Sequence, residues 1–131
     1  KPILGICLGM QLLAEEGDEG GVTRGLGFVP GRVIKLSPTA SDTRIPHVGW
    51  NEIHYTQAHP LFENIESGTD FYFVHSYHFA LKDTSNAVAT TPYCGNFFSA
   101  VHAKNVVGVQ FHPEKSQKPG FQLIRNFLKI C

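Results

Sequence analysis

Cys7 stands in Gly5-Ile6-Cys7-Leu8-Gly9, and 105 positions later His112 stands in Gly108-Val109-Gln110-Phe111-His112-Pro113-Glu114. A thiol, an imidazole and a carboxylate are the parts of a nucleophile, base and orienter set. The thiolate attacks, the imidazole takes the thiol proton and later delivers it to a leaving group, and the acid fixes the imidazole tautomer. Cys7 follows an apolar run over residues 2–6 and precedes a stretch that predicts a helix over 10–16. Strand, sharp turn and helix in that order form a nucleophile elbow with Cys in place of Ser. The flanking glycines give a tight turn its backbone freedom. Free N–H groups at the start of the helix are expected to lower the thiol pKa. A lone cysteine reads as a small buried hydrophobe, and a lone histidine is as often structural as functional. The glycines around Cys7, and Glu114 two residues past His112, set both apart from those readings.

The elements that must position these groups follow from periodicity. Residues 106–111 read as a buried strand that ends at His112, and Pro113 restricts the backbone between His112 and Glu114. Residues 17–21 break the first helix, 32–36 alternate as a strand, and 37–44 form a polar loop. Residues 45–53 are extended with a special turn, and 59–62 begin a short helical turn. Residues 70–78 read as one apolar strand ending in polar groups. Residues 87–91 and 98–102 make a strand pair around a turn at 93–96. The last element is a helix over 120–129, with Phe121, Ile124, Phe127 and Leu128 expected on its apolar face.

The chain has 131 residues, 42% hydrophobic and 17% charged, which predicts one globular domain over 1–131. A net charge of +0 gives no electrostatic case for nucleic acid or an anionic membrane surface. No apolar run approaches the roughly 20 residues of a spanning helix, and the opening residues read as a strand rather than a leader. Three cysteines, Cys7, Cys94 and Cys131, are too few and scattered for a disulfide framework or a zinc site. With a thiolate proposed, they point to a reducing cytoplasm. His47, His75, His78 and His102 are dispersed and form no helical ligand pair, so no metal is expected. Gly5-x-x-x-Gly9 and Gly25-x-Gly27 are not phosphate loops, so no cofactor is implied. Gln11 is a polar group in an apolar helix start and needs a partner, either a structural cap or a substrate amide. Trp50 is read equally as core or as partner-facing. The sequence enters its first strand directly after Lys1. An elbow strand is normally central in its sheet, so the chain is expected to be an N-terminally truncated part of a larger domain.

Gly5-Ile6-Cys7-Leu8-Gly9-Met10-Gln11 together with Gln110-Phe111-His112-Pro113-Glu114 resembles the class I (triad) glutamine amidotransferases. Within that family, Pro46-His47-Val48-Gly49-Trp50-Asn51, Tyr72-Phe73-Val74-His75-Ser76-Tyr77 and Phe111-His112-Pro113-Glu114-Lys115-Ser116 look like the glutaminase subunit of imidazole glycerol phosphate synthases. Gly25-Leu26-Gly27 followed by Pro30-Gly31-Arg32-Val33 is similar too. The resemblance runs over nearly the whole chain. It implies a three-layer α/β, flavodoxin-like fold of the amidotransferase type, with helices on both faces of a sheet and the N-terminal part of the domain missing.

The resemblance also implies a chemistry. Cys7 would attack the glutamine side-chain amide, His112 would move the proton and Glu114 would orient His112. A glutamyl thioester would form and be hydrolysed, with the N–H of Leu8 as an oxyanion donor. Gly9, Met10, Gln11, His75, Ser76 and Tyr77 match positions of the glutamine pocket. Trp50, Asn51 and Lys115 match positions facing the partner, a (βα)8-barrel cyclase that receives the ammonia in histidine biosynthesis. The family's second oxyanion donor lies before the elbow, and one such donor is worth roughly 10²–10³ in rate. The chain is therefore expected to be poorly active alone and to self-associate, as a possible homodimer, through an exposed sheet edge. Three other readings stay open: a paralogous amidotransferase serving another synthase such as one in surface-sugar biosynthesis, a silent domain that only binds partners, and a thiol hydrolase on a related fold.

Overall fold

The computed structural model describes residues 1–130; Cys131 lies outside the described residues. In chain order the elements are β1 (Ile3–Ile6), α1 (Leu8–Gln11), β2 (Glu16–Gly17), β3 (Thr23–Arg24), β4 (Gly31–Lys35), β5 (His47–Glu52), β6 (Asp70–His75), β7 (Tyr77–Leu81), β8 (Ala87–Pro92), β9 (Asn96–Ala103), β10 (Val106–Val109) and α2 (Gln117–Ile130). The main sheet is mixed and runs β1-β10-β9-β7-β4-β2-β3, with β8 added against β9; β5 and β6 form a separate antiparallel ribbon. Among the described residues, β1 pairs on one side only, in parallel with β10.

All four residues of β10 are buried, because the strand is covered on both faces. Val107 and Val109 point into a core shared with Leu123 of α2 and with Phe71 and Phe73 of the ribbon. Val106 and the open face of Gly108 point the other way, toward Met10 and Leu13. One helix therefore lies on each face, and the layered α/β architecture expected of the resemblance is present. No helix among the described residues is long and apolar enough to cross a membrane.

Three expected elements differ, each for a tertiary reason. The first helix stops at Gln11 rather than running to 16. The carbonyls of Leu12, Leu13, Ala14 and Glu15 accept instead from the N–H groups of Leu26, Val29, Gly27 and Gly25, so a loop takes the bonds that a longer helix would make internally. The loop lies so close that a Cβ on Gly25 would stand 2.2 Å from the Ala14 oxygen. The strand expected over 70–78 is two strands that pair in different sheets, divided at Ser76. Odd-numbered side chains stay inward across the break, Phe71 and Phe73 into one core and Phe79 into the other, so the alternation carries no mark of it. In α2 the buried residues are Gly120, Leu123 and Asn126, while Phe121 and Leu128, expected on the apolar face, are exposed. Asn126 sets that rotation by donating to the carbonyls of Leu61 at 2.9 Å and Glu63 at 2.7 Å.

Candidate active site

The site begins with backbone strain. Cys7 has φ 53° and ψ −107°, a conformation that costs a non-glycine residue on the order of 1–3 kcal/mol. It is held at both ends: its N–H donates to the Val109 oxygen at 2.8 Å, and its own oxygen accepts from the Gln11 N–H at 3.2 Å. The flanking glycines work differently from expectation, since the left-handed turn falls on Cys7 itself. A Cβ on Gly5 would lie 2.7 Å from the Gly9 oxygen, and one on Gly108 2.8 Å from Met10 Cγ. Gly5 and Gly108 are register partners in the sheet, so side by side they form the floor on which α1 rests. A Cβ on Gly9 would meet nothing.

The Cys7 sulfur lies 3.7 Å from the Val74 oxygen, its acceptor, and 3.7 Å from Gln110 Nε2, which donates to it. Burial pushes its pKa above the ordinary thiol value; the Leu8 N–H and the Gln110 amide pull it back, Glu114 pushes it up and Lys115 opposes. The expected lowering does not occur, because α1 has only four residues and offers little dipole to set against desolvation.

His112 follows β10, which lies beside β1 with Val109 opposite Ile6. Cys7 and His112 thus leave the same ends of two parallel strands. His112 Nδ1 is 2.8 Å from Glu114 Oε2, a bond to the turn Pro113–Lys115. A carboxylate only accepts, so Nδ1 carries a hydrogen, and in the neutral ring this leaves the lone pair on Nε2. Among the described residues His112 makes no hydrogen bond to the sulfur, and catalytic bonds of this kind often tighten only around substrate. Ser116 staples the turn: its hydroxyl donates to the His112 oxygen at 2.6 Å and accepts from the Tyr72 N–H at 3.0 Å. The His112 N–H in turn donates to the Tyr72 oxygen at 2.9 Å.

The other expected site residues divide by position. Leu8 and Gly9 lie on α1 beside the sulfur. Gln11 Nε2 donates to the Tyr77 oxygen at 3.1 Å and to Gln110 Oε1 at 3.2 Å. Met10, expected to line the glutamine pocket, is fully buried in the core. His75 is likewise buried and bonded to the Tyr77 oxygen, and the Ser76 oxygen is taken by the Leu36 N–H. Trp50 is half exposed and packs edge-on against Tyr72. Asn51 bonds the Pro92 oxygen, and Lys115 sits in the turn beside Glu114. Gln110, Ser116 and His47 take no role from sequence reasoning. For Gln110 a signal existed, a polar residue closing an apolar strand, which must find a partner when buried. A cleft of about 200 Å³ borders α1 and is lined by Leu8, Gln11, Leu12, Thr23, Arg24 and Val33; Cys7 does not line it. Among the described residues no three His, Cys, Asp or Glu side chains group as metal ligands.

The chain is 49% identical over 132 residues to the imidazole glycerol phosphate synthase subunit HisH of Brucella abortus, covering 98% of this chain and 61% of that protein. It is 47% identical over 131 residues to the HisH of Agrobacterium fabrum, with the same coverage. The chain thus spans about 61% of the length of these curated relatives. Among solved structures, a glutamine amidotransferase from Thermotoga maritima superposes with a TM-score of 0.62 at 21% identity, over 98% of this chain and 47% of that one. The glutaminase domain of Trypanosoma brucei CTPS with bound acivicin superposes with a TM-score of 0.62 at 16% identity, over 98% and 60%. These two likenesses speak for the fold alone. The family model described as glutamine amidotransferase class-I matches residues 1–131, and the chain belongs to that family.

Proposed function

We propose that this chain carries the glutaminase site of an imidazole glycerol phosphate synthase, as the name of its relatives suggests. The observation that carries the reading is the strained Cys7 elbow at the end of β1 beside the His112–Glu114 pair at the end of β10. Cys7 loses its proton to His112 Nε2 and its sulfur bonds to the side-chain carbonyl carbon of glutamine. The C–N bond breaks, ammonia leaves with the proton from His112, and a glutamyl thioester remains. Water, deprotonated by the same imidazole, then cleaves the thioester to glutamate and frees the thiol. The Leu8 N–H, which already donates toward the sulfur, is the oxyanion donor of this scheme, and Gln11 with the Tyr77 backbone faces the substrate. Burial of the thiol fits a pair that deprotonates only when the base closes on it.

The partner is a cyclase that takes up the ammonia, in the cytoplasm, and residues 1–131 act as one domain of the complex. Support for a docking face comes from the ribbon: Val48 opposes Val74 and Trp50 opposes Tyr72, and Val48, Trp50 and Val74 are exposed. In isolation two copies pair through the open side of β1, and light scattering that finds a monomer at high concentration refutes that part.

The test is labelling by acivicin with mass spectrometry to locate the adduct. Selective labelling of Cys7, lost in His112→Ala, is the expected result. Equal labelling of Cys94, or labelling indifferent to His112, refutes the reading.

A further inference from the structure

A line of buried polar side chains beneath the site is not used by the triad. His47 and His75 are 4% and 6% exposed and face each other across β5 and β6. His47 Nδ1 and His75 Nε2 are 2.9 Å apart. The outer nitrogens are also occupied: His75 Nδ1 meets the Tyr77 oxygen at 2.9 Å, and Asn51 Nδ2 meets His47 Nε2 at 3.1 Å and the Pro92 oxygen at 3.0 Å. A carbonyl only accepts, so His75 Nδ1 carries its hydrogen and His75 Nε2 must accept. His47 Nδ1 must then donate, and His47 Nε2 must accept from Asn51. The Asn51 amide is oriented by the Glu52 N–H, which donates to its Oδ1 at 2.8 Å. Two neutral rings in a single tautomer satisfy every atom, and donation runs one way from Asn51 to Tyr77.

The Tyr77 oxygen is also where Gln11 is anchored. Gln11 Nε2 donates there and to Gln110 Oε1, and Gln110 Nε2 donates to the Cys7 sulfur. Packing alone does not account for the histidine nitrogens. The His47 ring is stacked between Phe73 and Tyr93, at centroid distances of 5.0 and 3.9 Å, a slot that a phenylalanine ring would fill without burying two polar atoms.

We propose that His47 is a positioning residue for the glutamine site: as a neutral Nδ1–H donor it locks His75 and the Tyr77 carbonyl, and through them the Gln11 and Gln110 amides that meet the substrate and the thiol. This rests on the reading of the Cys7 pocket as a glutamine site. The charged groups felt by the pair are Asp42 at His47, and His78 and His112 at His75; burial holds both rings near a pKa of about 4, so they stay neutral at neutral pH.

Two measurements test it. Long-range proton–nitrogen NMR of the labelled chain at pH 7 is expected to show both rings as Nδ1–H tautomers; an Nε2–H tautomer at either ring overturns the proposal without touching the triad. The second is the concentration dependence of acivicin labelling of Cys7. His47→Phe is expected to raise the half-saturating concentration about tenfold, the effect of one neutral hydrogen bond, with the limiting rate little changed. His47→Asn, whose amide nitrogen falls near Nδ1, is expected to restore it to within about twofold. Asn51→Leu, at the outer end, is expected to raise it about threefold, and keeps the test decisive if the Phe chain does not fold. A role in packing alone would lower the melting temperature and leave the half-saturating concentration of every folded variant unchanged, which refutes the proposal. An unsubstituted chain that acivicin does not label refutes the glutamine-site reading, and the proposal with it.

Discussion

Replacing Gly120 by alanine sets two effects of opposite sign against each other. Gly120 lies inside α2, where alanine is favoured over glycine by about 1 kcal/mol on helix propensity. An exposed site would therefore gain stability. Here the new Cβ would lie 1.8 Å from the Pro113 oxygen, 2.7 Å from its carbonyl carbon and 3.1 Å from its Cα. The obstacle is backbone, so no rotamer relieves it. Pro113 has a fixed φ, and its oxygen already accepts from the Ser116 N–H at 3.1 Å. Either α2 or the turn must retreat by more than an ångström. Overpacking of this kind costs about 1–3 kcal/mol, and a rigid backbone obstacle belongs at the upper end. The net effect is a loss of about 2 kcal/mol, or roughly 6–10 °C in Tm for a domain of this size. The same retreat moves the turn that holds Glu114 against His112, so acivicin labelling of Cys7 should slow as well. Scanning calorimetry with labelling kinetics reads both. A variant as stable as the parent, or more so, would refute the argument that α2 rests on the Pro113 backbone.

Neighbouring contacts give further tests. Gln110→Leu fills the same buried space but leaves a Gln11 hydrogen unpaired and the sulfur without its donor; it should cost about 1–3 kcal/mol in urea unfolding and slow alkylation of Cys7. Ser116→Ala removes the hydroxyl that joins the His112 oxygen to the Tyr72 N–H and should cost a similar ~1–3 kcal/mol, with a loss in Cys7 labelling that Ser116→Thr does not share if the extra methyl is accommodated. The pH dependence has a fixed sign. His47 and His75 have folded pKa values of about 4 against 6.5 in the free side chain, and His59 and His78 are lowered too. The unfolded chain binds more protons in between, so this stability is complete above pH 6.5 and is lost as pH falls toward 4. At about 1.4 kcal/mol per unit for each fully shifted group, the urea midpoint should drop clearly between pH 7.5 and 5; an unchanged midpoint refutes the neutral-histidine account.

What the sequence made legible was local. The elbow at Cys7 and the pairing of His112 with Glu114 are written within a few residues, and so are the β8–β9 hairpin and the strand that feeds His112. What it hid depends on distant partners. Gln110 meets Cys7 across 103 positions and Gln11 meets Tyr77 across 66, and neither pairing leaves a local trace. The first helix reads too long because nothing near residues 12–15 announces that residues 25–29 will take their carbonyls. The thiol pKa reads in the wrong direction because the pattern behind it promises a longer helix and the burial leaves no local sign. The apolar face of α2 is only partly placed by periodicity: Phe127 does pack against the core, but Phe121 and Leu128 do not, because a glycine and an asparagine, both poor hydrophobes, help to seat the helix.

The height of the sulfur above the sheet is set at Gly5 by backbone touching backbone, since no side chain stands there between β1 and the Gly9 and Met10 main chain of α1. A side-chain spacer can change rotamer and repack; a stack of main chains has almost no adjustable thickness. The reactive atom is thereby mounted to the tolerance of bond lengths rather than of packing, and substitutions elsewhere in the core can accumulate without moving it. The same mounting has no slack, so at Gly5 even one methyl group is a displacement of the nucleophile.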